Sequence, residues 1–185
     1  ATALKAGFPA EKISFHGNNK SIAELEFAIK AGVGVIIVDN FYEIDLLQRV
    51  LREQNAKTKV ILRVTPGISA HTHEYDQTGQ TDSKFGFDLA SGQADKALTQ
   101  LLADPQITVL GLHAHIGSQI FELGGFELVG QKLMEVAHSW KQKYGYTTKV
   151  INVGGGFGIK YTAEDDPLAP ERFVEQIIKV VKQKA

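Results

Sequence analysis

The stretch VGVIIVDN, residues 33–40, decides the fold. It is apolar without alternation, so both of its faces must be buried, and it ends in two polar residues, Asp39 and Asn40. The same pattern recurs on either side. Upstream, ISFHGN (13–18) is a strand candidate followed by SIAELEFAIKAG (21–32), in which Ser21 and Glu24 form a capping box and Gly32 a helix stop. Downstream, a helical period through Ile44, Leu47, Val50 and Leu51 leads into the strand VILRVTP (60–66). A long polar loop then precedes a helix over 93–103, ended by Asp104 and Pro105. ITVLGLHAH (107–115) and KVINVGG (149–155) are further strands; between them Phe126, Val129, Leu133, Val136 and Trp140 recur at helical spacing. Five strand–helix units result.

Strict alternation of buried strands and helices requires a parallel sheet covered by helices, as an open doubly wound sheet or a closed barrel. The polar residues choose between them. His16 and Asn18, Asp39 and Asn40, Arg63, His113 and His115, and Gly154, Gly155 and Gly156 all fall at C-terminal strand ends. An open sheet concentrates such residues at one crevice, whereas a barrel spreads them around a mouth fed by every strand. The expected fold is therefore α/β, an incomplete parallel (β/α)8 TIM-type barrel with about five of eight strands present. The termini suggest the same: ATALKAG reads as the last turns of a helix stopped by Gly7, and the amphipathic helix through Phe173, Ile177, Val180 and Val181 runs to the last residue. Residues 1–185 are expected to be a central barrel fragment whose first strands and C-terminal β domain lie elsewhere.

The chain is 43% apolar and 22% charged over 185 residues, enough for one core. Its formal charge of -1 and scattered basic residues give no footprint for nucleic acid. No apolar run approaches the roughly 20 residues needed to span a bilayer. A soluble, cytoplasmic protein is expected. With no Cys, neither disulfides nor thiol chemistry enters from this stretch.

VGGGFG (153–158) directly follows a strand and suits a phosphate cradle, because glycines let backbone N–H groups approach an anion. It is not the dinucleotide fingerprint, and a tight turn without ligand is the alternative. HAHIGSQ (113–119) carries two His at i and i+2 on one strand, hence on one face, followed by Gly117 and Ser118. Three readings stay open: a metal pair completed by Asp39, His16 or Asn18; an imidazole stacked on a cofactor ring with Ser118 on a phosphate; or two buried, hydrogen-bonded His. Lys20 reads as a solvated charge beside the Ser21 cap rather than a Schiff-base lysine. His71, His73 and Glu74 read as solvated loop residues. Asp39, a carboxylate at the end of a buried strand, is either hydrogen-bonded or functional, and hydrogen-bonding is the favoured reading. Arg63, between Leu62 and Val64, faces either a bound anion or a structural ion-pair partner.

In this order and at these separations, HGNNKS, VGVIIVDN, LRVTPGI, TDSKFGF, GLHAHIGSQI and NVGGGFGI resemble the diaminopimelate decarboxylases. These are pyridoxal-phosphate enzymes of alanine-racemase-like fold, a β/α barrel followed by a β domain, working as homodimers. The resemblance implies decarboxylation of meso-2,6-diaminopimelate to L-lysine and carbon dioxide in lysine biosynthesis, with pyridoxal 5'-phosphate as cofactor and a small amino acid as substrate. It implies that His115 stacks on the cofactor ring and that Ser118, Gly154, Gly155 and Gly156 bind its phosphate. Arg63 matches an arginine near the cofactor, and Lys84 a lysine toward the dimer contact.

The departures are equally specific. The family's cofactor lysine belongs to a YAxKA-like motif on the first barrel strand, and no such motif occurs here. The EPGR-like segment that supplies a carboxylate to the pyridinium nitrogen, and the Cys motif of the β domain, do not occur either. No catalytic residue and no metal ligand is therefore expected within these residues, and the fragment alone should be inactive. The alternatives are a sibling decarboxylase of arginine, ornithine or carboxynorspermidine, and a non-catalytic pyridoxal-phosphate-binding barrel.

Overall fold

The computed structural model describes residues 1–68 and 84–184. The loop residues His71, His73, Glu74, Thr81 and Ser83 lie outside that description. Helix α1 (Thr2–Lys5) precedes strand β1 (Ser14–Phe15), and β2 (Val35–Val38), β3 (Thr58–Thr65), β5 (Ile107–His113) and β6 (Val150–Asn152) continue the sheet. All neighbours pair in parallel, in the order β1-β2-β3-β5-β6. A two-residue strand β4 (Phe87–Asp88) pairs with the end of β3; it was too short to leave a pattern in the sequence.

Helices α2 (Ile22–Lys30), α3 (Phe41–Gln54), α4 (Gln93–Leu102), α5 (Gly124–Tyr144) and α6 (Pro170–Lys184) alternate with the strands. The capping box forms as its sequence demands, with the Ser21 hydroxyl accepting from Glu24 N–H and the Glu24 carboxylate accepting from Ser21 N–H. Asn40 caps α3 by accepting from Glu43 N–H at 2.9 Å, which ties the end of β2 to the first turn of the next helix. Leu47, Val50 and Leu51 of α3, Leu98 and Leu101 of α4, and Phe126, Leu133 and Trp140 of α5 are fully buried against the sheet residues Ile36, Val38, Leu62 and Leu112. Asp95 joins α4 to α5 by accepting from Trp140 Nε1 at 2.7 Å and from the Tyr144 hydroxyl at 3.0 Å. Phe173 of α6 stacks on Phe157 and meets Phe126 edge-on, which brings the last helix back over the β6 loop.

The sheet is curved rather than open. β1 and β5 are separated by β2 and β3, so three strand spacings of roughly 4.8 Å would hold them about 14 Å apart in a flat sheet. Yet the ring centroids of His16, just past β1, and His113, at the end of β5, are 5.0 Å apart. Contact at that distance requires the strands to curl toward the face these rings occupy. The five strands form a half-barrel of TIM type, as the alternation and the distribution of strand-end residues predicted.

Candidate functional site

Register converts the apolar core into a polar row. Val38, Leu62, Leu112 and Ile151 are successive partners across four strands. One residue further along, side chains turn to the opposite face. There Arg63 is in register with His113 and His113 with Asn152, while Asp39 follows Val38 beside Arg63. Asp39, Arg63 and His113, noted in the sequence, thus share one layer with Asn152 at the C-terminal rim.

The first half of this rim is built from charge. Asp39 is buried and accepts from Arg63 Nη1 at 3.2 Å and from Gly86 N–H at 3.1 Å. Its own N–H donates to Glu43 Oε2 at 3.2 Å. Glu43 Oε1 in turn accepts from Lys20 Nζ at 2.8 Å, and that ammonium also donates to the carbonyls of Ile37 at 2.7 Å and Gly17 at 2.6 Å. Lys20 is only 5% exposed, so the expectation of a solvated cap-region charge is wrong. The cause is tertiary: two of its three partners lie 17 and 23 residues away on β2 and α3, where no local pattern announces them. Burial pushes the Glu43 carboxyl up, and the Lys20 ammonium beside it draws it back. Arg63, with its guanidinium 4.3 Å above the Phe85 ring, takes the ion-pair alternative left open by the sequence.

The second half is built from neutral groups and backbone. His113 is 4% exposed, and its Nδ1 lies 3.2 Å from Asn152 O. Burial, and then the His16 charge, lower its pKa to about 4. At neutral pH the ring is uncharged, and Nδ1–H donates to the Asn152 carbonyl. Strand β5 stops at His113, so His115 stands beyond it and is exposed. The expected pair on one strand face is therefore divided into a buried ring and an accessible one. Partial burial and the Arg63 charge lower the His115 pKa as well, which favours its neutral form. Among the described residues no group of three His, Cys, Asp or Glu is disposed to hold a metal ion.

The two motif loops are joined to each other. Ile120 N–H donates to Gly156 O at 2.9 Å, and Gly158 N–H donates to Ile120 O at 2.8 Å. Asn152 Oδ1 accepts from Gly154 N–H at 2.9 Å, which shapes the turn out of β6. Gly156 has φ +92°, and a Cβ there would fall 2.0 Å from Gly117 O; at Gly154, φ +80°, it would meet Ala114 O at 2.7 Å and His115 Nδ1 at 3.0 Å. Side chains are excluded from both positions, so the glycine run is a cradle pressed against the His115 and Ser118 loop. Ser118 is exposed beside it. Lys84, also exposed, lies on the other side of the rim, its carbonyl accepting from Asn18 Nδ2 at 3.4 Å. Asn152, Gln119 and Glu43 were missed from sequence; Asn152 carried a signal in its place at a strand end, and Glu43 in its spacing of three residues from Asn40.

A family model described as pyridoxal-dependent decarboxylase, pyridoxal binding domain, matches residues 1–185. The chain is 57% identical over 182 residues to a diaminopimelate decarboxylase of Bacillus methanolicus, covering 98% of this chain and 42% of that protein. It is 52% identical over 184 residues to that of Bacillus subtilis, again covering 42% of the relative. The chain thus spans about two-fifths of the length of these relatives. The crystal structure of diaminopimelate decarboxylase from M. jannaschii superposes with TM-score 0.89 at 31% identity, over 99% of this chain and 43% of that one. The enzyme from Helicobacter pylori complexed with L-lysine superposes with TM-score 0.82 at 28% identity, over 97% and 45%.

Proposed function

The chain belongs to the pyridoxal-dependent decarboxylase family, as its pyridoxal-binding domain, and from that premise we propose that residues 1–185 form the cofactor-holding part of a diaminopimelate decarboxylase barrel. The reaction is removal of the D-centre carboxylate of meso-2,6-diaminopimelate as carbon dioxide, with a proton taking its place, to give L-lysine. The reading includes a second, β domain, a homodimer with Lys84 toward the contact, and a cytoplasmic location, all implied by the resemblance. Among the described residues no helix is long and apolar enough to cross a membrane.

One observation carries the proposal: two glycine positions closed to any Cβ lie against the loop that offers an accessible imidazole and a hydroxyl. Backbone N–H groups and a hydroxyl suit a phosphate, and a neutral ring suits the face of a pyridine. The residues present fit pyridoxal phosphate. When bound, that cofactor supplies an electron sink for the pair left as carbon dioxide departs. In this reading Gly154, Gly155, Gly156 and Ser118 hold the phosphate, Gly154 by shaping the turn while its N–H stays on Asn152, and His115, whose pKa is lowered by partial burial and the Arg63 charge, supports the ring. Arg63, fixed by Asp39, places a positive charge in the same layer as His113. Lys20 anchors the rim instead of carrying the cofactor, since its ammonium is engaged by three acceptors.

Incubating the complete enzyme and pyridoxal phosphate with meso-diaminopimelate, arginine or ornithine in parallel tests the reading. L-lysine and carbon dioxide should appear from diaminopimelate alone. Turnover of arginine or ornithine in its place would assign a sibling decarboxylase, and cofactor binding without turnover of any of them a non-catalytic barrel.

A further inference from the structure

Gln119 holds a backbone conformation that its side chain does not favour. Its φ is +55°, and the other non-glycine residue with positive φ among those described, Asn55, is a left-handed helix cap of a type that asparagine tolerates. Gln119 lies in no helix cap, so something outside the residue must hold it. Its carboxamide does so by pairing with both backbone groups of Ile159: Nε2 donates to Ile159 O at 3.0 Å, and Oε1 accepts from Ile159 N–H at 3.0 Å. An amide side chain here plays the part of a neighbouring strand residue. Together with the two Ile120 backbone bonds to Gly156 and Gly158, it makes a four-bond ladder between the loop after β5 and the loop after β6.

The ladder brackets the cradle. Gln119 directly follows Ser118, and Ile159 lies three residues beyond Gly156, whose turn already rests against Gly117. We propose that Gln119 is the positioning residue of the phosphate cradle: its clasp on Ile159 fixes the distance between the Ser118 hydroxyl and the glycine N–H groups, and so selects the phosphorylated cofactor over its unphosphorylated form. The inference rests on the cofactor reading above. Gln119 does not need to touch the ligand. It acts by preventing the two donor loops from separating, and this preorganisation matters only for a group that spans both.

The test compares dissociation constants for pyridoxal phosphate and pyridoxal in the complete apoenzyme, read by cofactor absorbance, for wild type, Gln119→Ala and Gln119→Gly. Glycine accepts the positive φ freely, so it removes the clasp without adding backbone strain. Both variants should bind pyridoxal phosphate about tenfold more weakly, the effect of losing two neutral hydrogen bonds, while pyridoxal affinity stays within about twofold. Equal loss for both ligands would make the clasp a general structural contact and overturn the proposal. So would wild-type affinity for pyridoxal phosphate in Gln119→Gly. If wild type itself fails to prefer the phosphorylated form, it is the cofactor reading that falls.

Discussion

The two halves of the rim solve the same problem with different chemistry. From β1 to β3 the strand ends are fixed by buried ions: Lys20 on Glu43, and Arg63 on Asp39, with Glu43 also receiving the Asp39 N–H. From β5 to β6 they are fixed by neutral bonds and close backbone contact: His113 on Asn152, Asn152 on Gly154, Gln119 on Ile159. The charged half closes over its functional groups, leaving Lys20 and Glu43 5% and 2% exposed. The neutral half leaves His115 and Ser118 open. A buried charge demands that every partner be satisfied inside the protein, whereas a turn of glycines keeps side chains out of the way of an external anion. Stability should therefore depend more on the first half, and ligand affinity on the second.

The sharpest way to break that contrast is to remove one buried ion. Lys20→Met leaves Glu43 uncompensated and should destabilise the fold by about 3–5 kcal/mol in denaturant unfolding, with Lys20→Met/Glu43→Leu recovering much of the loss. A loss below about 1 kcal/mol for the single variant would show that the charged half is not held by its ions.

Next in size is the pH dependence of the neutral half. His113 is held at about 4 in the fold against 6.5 when exposed, so below pH 6.5 the unfolded chain binds a proton that the folded chain refuses. Its contribution is fully present above pH 6.5, declines as pH falls from there toward 4, and changes no further below; the total is about 3 kcal/mol at most. The difference between wild type and His113→Gln, followed by chemical denaturation across that window, should show this slope. Parallel curves would mean that the ring is not buried in its neutral form.

A smaller effect is expected at Ser118, where the contrast predicts affinity without stability. Ser118→Ala should weaken pyridoxal phosphate binding by about 1–2 kcal/mol, one hydrogen bond to a charged group, and leave the unfolding midpoint nearly unchanged. A large stability loss with unchanged affinity would reverse the assignment of the two halves. The last prediction is of no effect at all: after borohydride reduction of the complete holoenzyme, peptide mapping should find the cofactor on no lysine within residues 1–185. Label on Lys20 would mean that its three acceptors do not hold it.

Legibility from sequence follows the range of each interaction. The strand–helix alternation, the Ser21–Glu24 capping box, and the helical faces of α3, α5 and α6 were all readable because each depends on residues a few positions apart. So were the strand-end positions of Asp39, Arg63, His113 and Gly154, since the β period and the chain order fix them. Reading further failed where partners come from distant segments. Lys20 was misread because Ile37 and Glu43 reach it from β2 and α3; the two His of HAHIGSQ were placed on one strand face because the i, i+2 spacing does not show that β5 ends at His113. Gln119 left no trace because its partner is 40 residues away.

The order of the elements, the parallel sheet and the rim on which the chemistry gathers are written in the order of amino acids, because local periodicity and turn chemistry are properties of neighbouring residues. Which rim groups neutralise one another, and which stay available, is set by packing in three dimensions. Desolvation and hydrogen bonding depend on what is packed around a side chain, and for Lys20, His113 and Gln119 the decisive neighbours come from other strands and loops.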